Sequence, residues 1–399
     1  MVRAPGPRNE QARGTLALVA VALLFGTGHH LTKPLLAPQA VALGADVVSA
    51  GVVVAAQGVG GLLAALTAGA VMDRIGGRRV MAAGAVVFAA GAGVMTAATS
   101  PEVLAAGNLV FGGGGVATWL AAQTLSTVAR DDASTSRRIA RVSTAGLVGQ
   151  LCGPTLGGML ADAISVRMAF AAAAVAGVVL LPATLAHPRT PPHRGRTTAT
   201  TATDAYLPGA STRALLTRRG LPAVVCATAI ATSLQNIRQA FLPLYLDGLG
   251  WSSTEVGMIL SIAGLGAVLS RAGLTMLDRR LGPAALITLC LLPGALTLGA
   301  SVSVESVVLV AVIVAISGFS LGLAQPVTLL QITRITAQNE RGRAVGIRIA
   351  ANRIMQAAVP VAFGAVAGLM GLLTAFWFVS ATCAVGGGAV AWSFRRLRR

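Results

Sequence analysis

Acidic residues are scarce in this chain. Only thirteen Asp and Glu occur among 399 residues, and all of them fall at or near loops between apolar stretches. That argues against the clustered carboxylates an enzyme of general acid–base chemistry would need. Lysine is almost missing: Lys33 stands alone beside thirty arginines. The four cysteines, Cys152, Cys226, Cys290 and Cys383, are isolated, with no CxxC or Cys/His spacing. They offer neither a disulfide framework nor a metal site and read as small packing residues. Charged residues make up 11% of the chain, whereas a soluble domain carries about 25%. The Gly112–Gly115 run lacks a following Lys-Ser/Thr, so no nucleotide-binding loop is present to supply ATP drive. No cofactor is expected.

What fills the chain is apolar. Hydrophobic residues account for 55%, and the mean hydropathy is +0.76. Ala, Gly and Val predominate, which suits helices that pack closely in lipid. Runs of about 20 apolar residues, each long enough to span a bilayer, predict twelve spans. They lie near 14–37, 47–71, 79–99, 102–128, 139–162, 166–187, 219–245, 252–277, 283–303, 305–333, 343–369 and 371–394. The fold class expected is therefore an all-α integral membrane protein.

The formal net charge of +18 does not point to nucleic acid, because the loop basic residues sit in alternate loops, with Arg167 the main exception. Arg74, Arg78 and Arg79, Arg137 and Arg138, Arg279 and Arg280, and Arg334, Arg341 and Arg343 fall on one side. Asp46, Glu102, Asp162, Asp247, Glu255 and Glu305 fall on the other. By the positive-inside pattern, both termini and the central loop are expected in the cytoplasm. The abundance of Ala, Gly, Arg and Pro suggests a bacterial plasma membrane. Residues 188–218 are polar, with Pro191-Pro192 and a Thr-rich run. They read as a cytoplasmic tether between an N-terminal unit, 1–187, and a C-terminal unit, 219–399.

The two units repeat one another. Leu43-Gly44-Ala45-Asp46 with Gly51 recurs as Leu249-Gly250-Trp251-Ser252 with Gly257; Asp73-Arg74 recurs as Asp278-Arg279. Gln150, Pro154 and Gly158 recur as Gln356, Pro360 and Gly364. The offset is 205 or 206 each time, the mark of a tandem duplication. Six spans per unit make the copies parallel, an arrangement common among carriers.

Two motifs carry a family resemblance. After span 2, Gly69, Asp73, Arg74, Gly76, Arg78 and Arg79 stand in a stretch that resembles the loop signature Gly-x-x-x-Asp-Arg-x-Gly-Arg-Arg of the major facilitator superfamily, with Gly77 in place of its first base after the glycine. Asp278 and Arg279 form a degenerate second copy after span 8. In span 5, Gly149, Gly153, Pro154, Gly157 and Gly158 are similar to that family's antiporter signature. The resemblance implies twelve helices in two pseudo-symmetric six-helix bundles. It implies a conformational gate at the Asp-Arg loops, where Asp73 caps a neighbouring helix and arginines fasten the halves. It also implies a cavity lined by spans 1, 4, 7 and 10, with spans 2, 5, 8 and 11 sliding between the halves. The chain departs from the drug–proton antiporters at Asn108, where they usually carry arginine, and it places no carboxylate near the midplane of span 1 or span 4, where many of them have one.

Polar residues inside the spans are the candidates for solute or proton handling. Span 1 contains His29, His30 and Lys33; at ~1.5 Å per residue from Arg13, His29 lies ~24 Å in. Its repeat-equivalent segment in span 7 holds Gln235, Asn236, Arg238 and Gln239. Span 11 carries Asn352, Arg353 and Gln356, with Arg353 ~15 Å past Arg343. Asn108 and Gln123 in span 4 and Gln325 in span 10 complete the set. An arginine at mid-membrane costs about 2.5–3.5 kcal/mol on insertion scales, so each needs a partner or a wet cavity. Two readings stay open for the arginines, a site for an anionic solute or anchoring to interfaces and carbonyls. The histidines likewise either titrate during transport or are hydrogen-bonded near the outer interface.

The leading expectation is a proton-coupled secondary exporter of a small drug-like compound or metabolite, acting as a monomer in the bilayer. The alternative is an uptake symporter or facilitator for an organic anion or nutrient. A lipid flippase of the same fold is not excluded by these residues.

Overall fold

The computed structural model describes residues 7–127, 132–188, 220–337 and 340–396. Twelve long helices account for nearly all of them, one for each expected span. They are α1 (Pro7–Thr32), extended by a 3-10 turn (Lys33–Leu35) and a short helix (Leu36–Ala42); α2 (Val47–Ile75); α3 (Gly77–Thr96); α4 (Pro101–Ser126); α5 (Asp132–Ala163); and α6 (Val166–Ala186). The second half holds α7 (Leu221–Asp247), α8 (Ser253–Arg280), α9 (Pro283–Ala300), α10 (Val307–Ile335), α11 (Arg341–Met370) and α12 (Leu372–Arg396). Ten of these segments are long and apolar enough to cross a membrane. α5 and α7 fall short because α5 carries Gln150, Pro154 and the glycine-rich motif in its apolar part and α7 carries Gln235 through Gln239. The tether 188–218 lies outside the described residues apart from Pro188.

Local chemistry sets the helix ends. At one end of the bundle, side chains cap the helices that enter there. Asp46 accepts from Ser49 N at 2.8 Å at the start of α2. Ser252 and Glu255 form a capping box at the start of α8. Ser100 and Ser165 cap α4 and α6. The turns before α2 and α8 use Gly44 and Gly250, repeat-equivalent residues with φ of +96° and +84°, a conformation that disfavours a Cβ. The other end carries the arginine-rich turns. "Capped end" and "basic end" name the two below.

Buried hydrophobics gather in two cores. One runs from Leu18 to Leu180; the other runs from Leu221 to Phe394 and takes in Ala37 from the short helix after α1. Large apolar side chains such as Val308, Leu369 and Val385 face outward, as a lipid-facing belt requires. The packing repeats: α1 lies on α5 and α6, as α7 lies on α11 and α12. α2 lies on α4, as α8 lies on α10.

The halves meet along two seams, α2 with α11 and α5 with α8. A Cβ on Gly51 would come within 2.5 Å of the Pro360 carbonyl, and Gly257 is pressed against that of Pro154. Gly58 meets Gln356, and Gly264 meets Leu151 next to Gln150. Gly364 meets Val47, and Gly158 meets Ser253. Each contact has a partner shifted by 206 in both members, the reciprocal pattern of a two-fold interface. Toward the basic end the α2–α11 seam loosens: a Cβ at Gly346 would meet nothing within 4 Å.

Candidate functional site

A cavity of about 100 Å³ lies between the halves. It forms where α1 breaks. Pro34 has no N–H and its ring clashes with the carbonyl four residues back, so the helix tightens into the 3-10 turn that holds Lys33. Lys33 Nζ donates to Gln239 Oε1 at 3.0 Å. The two residues are 206 apart, so this bond joins repeat-equivalent positions and lies on the pseudo-twofold axis. Around it the cavity is lined by His29, Gln57, Asn236, Arg353 and Gln356, with Gly58, Gly112 and Pro360 closing the walls.

The cavity is rich in donors. Arg353 Nη1 donates to Gln356 Oε1 at 2.9 Å, leaving the rest of the guanidinium for a solute. Gln57 Nε2 and Asn236 Nδ2 are buried without partners, as is His29 Nδ1. The His29 ring is held by Phe25 at 5.2 Å and stacked on Phe111 at 5.8 Å. Two cationic side chains and no carboxylate line the space. Lys33 belongs to the N-terminal half and Arg353 to the C-terminal half.

Across the Lys33–Gln239 bond lies a second cavity of about 30 Å³. Its lining is largely the first lining moved by 206 residues. Gln235 stands for His29, His30 for Asn236, Gln150 for Gln356, Pro154 for Pro360 and Gly264 for Gly58, and Lys33 and Gln239 exchange places. Ala263 replaces Gln57. Arg238 brings the arginine here, from a position equivalent to Thr32. It is 6% exposed, Nη1 donates to Ser317 Oγ at 2.7 Å, and Nε has no partner.

The remaining polar candidates do not line either space. Asn108 is fully buried and ties α4 to α2, donating to the Val53 carbonyl at 2.8 Å. Gln123 is exposed near the basic end of α4. Gln325 accepts from Arg348 at 2.8 Å and Asn352 from Thr232 at 2.8 Å; both pin neighbouring helices. Sequence reasoning passed over Gln57, although it is the only amide side chain of α2, and it did not single out Gln150 as a lining residue.

The span-5 glycines serve two interfaces. Gly149, Gly153 and Gly157, four apart, face α1 at Thr27, His30 and Leu31; Pro154 and Gly158 face α8. The motif thus seats α1 and its histidines as well as the seam. At the capped end, Asp162 of α5 crosses that seam and accepts the backbone N–H of Ser253 at 3.1 Å and Thr254 at 2.7 Å. About two turns further along the same seam, Thr155 and Ser261 share a 2.7 Å hydrogen bond. The position equivalent to Asp162 is Gly368, which rests against Val48. At the basic end, Asp278 pairs with Arg334 at 2.7 Å inside the C-terminal half. Asp73 is exposed and makes no ion pair among the described residues. Gly69 and Gly76 are buried beside it, with Gly76 at φ +88°, and Arg74, Arg79 and Arg279 are exposed. Among the described residues, hydrogen bonds thus cross the α5–α8 seam at the capped end, while Asp73 at the basic end forms no ion pair.

A family model described as Major Facilitator Superfamily matches residues 18–304 and 224–399. No curated protein matches. Among solved structures, a point mutant of the nucleoside transporter NupG is 15% identical, with 96% of this chain and 100% of that chain covered and a TM-score of 0.80. A mutant peptide transporter POT is 13% identical, with 99% of each chain covered and a TM-score of 0.79. The human organic anion transporter MFSD10 (TETRAN) is 17% identical, with 97% and 100% covered and a TM-score of 0.66. At these identities the likeness is one of fold, and it agrees with the twelve helices, the repeat and the two seams. The chain belongs to the Major Facilitator Superfamily.

Proposed function

We propose that this chain exports a small organic anion across a bacterial plasma membrane by alternating access, in exchange for protons. The observation that carries the substrate class is the cavity with Lys33 on one half, Arg353 on the other, unpartnered amide donors between them, and no carboxylate in the lining. Two like charges facing one space repel. An anion between them reverses the sign of that interaction and links the halves. Binding energy of this kind is what biases a two-state carrier toward closing around its solute. The neighbours of the same fold are named for nucleosides, peptides and organic anions, so the class proposed here rests on the cavity's own chemistry.

The resemblance of Gly149–Gly158 to the antiporter signature supports export. With the basic end in the cytoplasm, as the positive-inside pattern favours, the tie at the capped end and the looser α2–α11 seam support a loading state that faces the cytoplasm. His29 and His30 are assigned the proton exchange, because no carboxylate lines the cavity and an imidazole can take up and release a proton. The functional units in this reading are residues 1–187 and 219–399, tethered through 188–218, with the chain working as a monomer. Asp73 and the arginines around it fasten the basic end in the opposite state.

Proteoliposomes with an imposed pH gradient and a panel of radiolabelled carboxylates, phosphates and neutral analogues provide the test. Counterflow of an anion driven by the gradient is the expected result. Flux of neutral compounds alone would overturn the substrate class. Accumulation of the anion with the proton gradient, rather than against it, would replace export by uptake.

A further inference from the structure

The small cavity beyond Lys33 holds no solute in the reading above, yet its lining largely repeats that of the large one. We infer that it is a second anion site, built by the same duplication, and that it holds a resident inorganic anion of chloride size.

Three observations converge. First, Arg238 is only 6% exposed, and its only hydrogen-bond partner among the described residues is the Ser317 hydroxyl. A guanidinium in such surroundings needs a counter-charge, because burying an isolated charge is expensive. No carboxylate lines the pocket, and Arg238 Nε is left unpartnered. Second, Lys33 lines the pocket from the other half and spends one of its three donors on Gln239. Third, the amides of Gln150 and Gln235 line the same space. The volume of about 30 Å³ admits a monatomic anion or a water or two and is too small for an organic solute.

Lys33 borders both cavities. Filling the small one neutralises part of the charge that faces the large one, so the two sites are linked by mass action. A halide at Arg238 should weaken the pull on the organic anion while stabilising the fold.

Thermal unfolding of the purified full chain reads this site without any transported solute. Chloride is titrated against gluconate at constant ionic strength. A saturable rise of the midpoint with chloride, larger with bromide or iodide, is expected of the native protein. Arg238→Gln should lose that rise, Arg238→Lys should keep a weakened one, and Arg353→Gln should keep it in full. An equal response to chloride and gluconate, or a rise that survives Arg238→Gln, overturns the site. So does loss of the rise in Arg353→Gln, which would assign the halide to the large cavity. If Arg238→Gln does not fold, Ser317→Ala, which frees the guanidinium from its only partner, should shift the chloride midpoint; no shift counts against the proposal. Failure of organic anion flux in liposomes would leave this halide response untouched, so the two readings fail separately.

Discussion

At the scale of single residues, burial and partners separate site from scaffold. Arg353 and Asn108 are both polar and both deep in the bundle, yet one faces a cavity and the other a neighbouring helix. A hydrogen bond to a charged group is worth about 1.5–3 kcal/mol. Arg353→Ala should therefore lower apparent solute affinity roughly 10- to 150-fold with normal expression, read as the half-saturation of flux. Asn108→Ala removes a neutral hydrogen bond worth about 0.5–1.5 kcal/mol. It should lower the unfolding midpoint and leave flux intact. The sequence could nominate both residues but could not tell them apart. Polar spacing on a helix says which residues share a face. It does not say whether that face meets water or the backbone of another helix. Gln57 escaped for the complementary reason: one amide among valines and alanines makes no pattern.

Helices and their seams form the next scale. The Gly-x-x-x-Gly-Pro stretch of α5 was legible as a packing motif, because small residues four apart permit close approach. Its division between α1 and α8 was not, since the three-dimensional position of each partner decides which glycine meets which. Gly58 abuts the Gln356 backbone so closely that a side chain requires the helices to part. Gly58→Leu should abolish flux and leave the protein in the membrane; retained flux would mean that the seam is more yielding than its spacing. Asp162 adds a charge at the positive start of α8, an interaction worth about 0.3–1 kcal/mol at an exposed site. Asp162→Asn should shift the population open at the capped end by about two- to five-fold. The rate at which a membrane-impermeant thiol reagent labels Thr155→Cys, in a cysteine-free background, measures that shift.

For the whole molecule, twelve spans, two halves and their parallel repeat were readable from apolar runs, alternate charge and the 206-residue offset. The conformation was not, because a carrier's sequence encodes both of its end states and the same residues serve each. The capped end is closed here. Val48 Cγ2 lies 2.8 Å from where a Cβ on Gly368 would stand, within reach of a disulfide. Oxidising Val48→Cys with Gly368→Cys should stop turnover, and a reductant should restore it. Continued flux while the pair is cross-linked would sink the rocking of halves. The hydrogen bond between Lys33 and Gln239 has a further consequence. In a homodimer of a single unit, a side chain on the dyad faces its own copy. Two ammonium groups there would repel, whereas two amides could pair. A lysine opposite a glutamine becomes available only when the copies are joined in one gene and free to diverge. On that view, fusion was the step that allowed a single positive charge to be planted at the centre of the molecule.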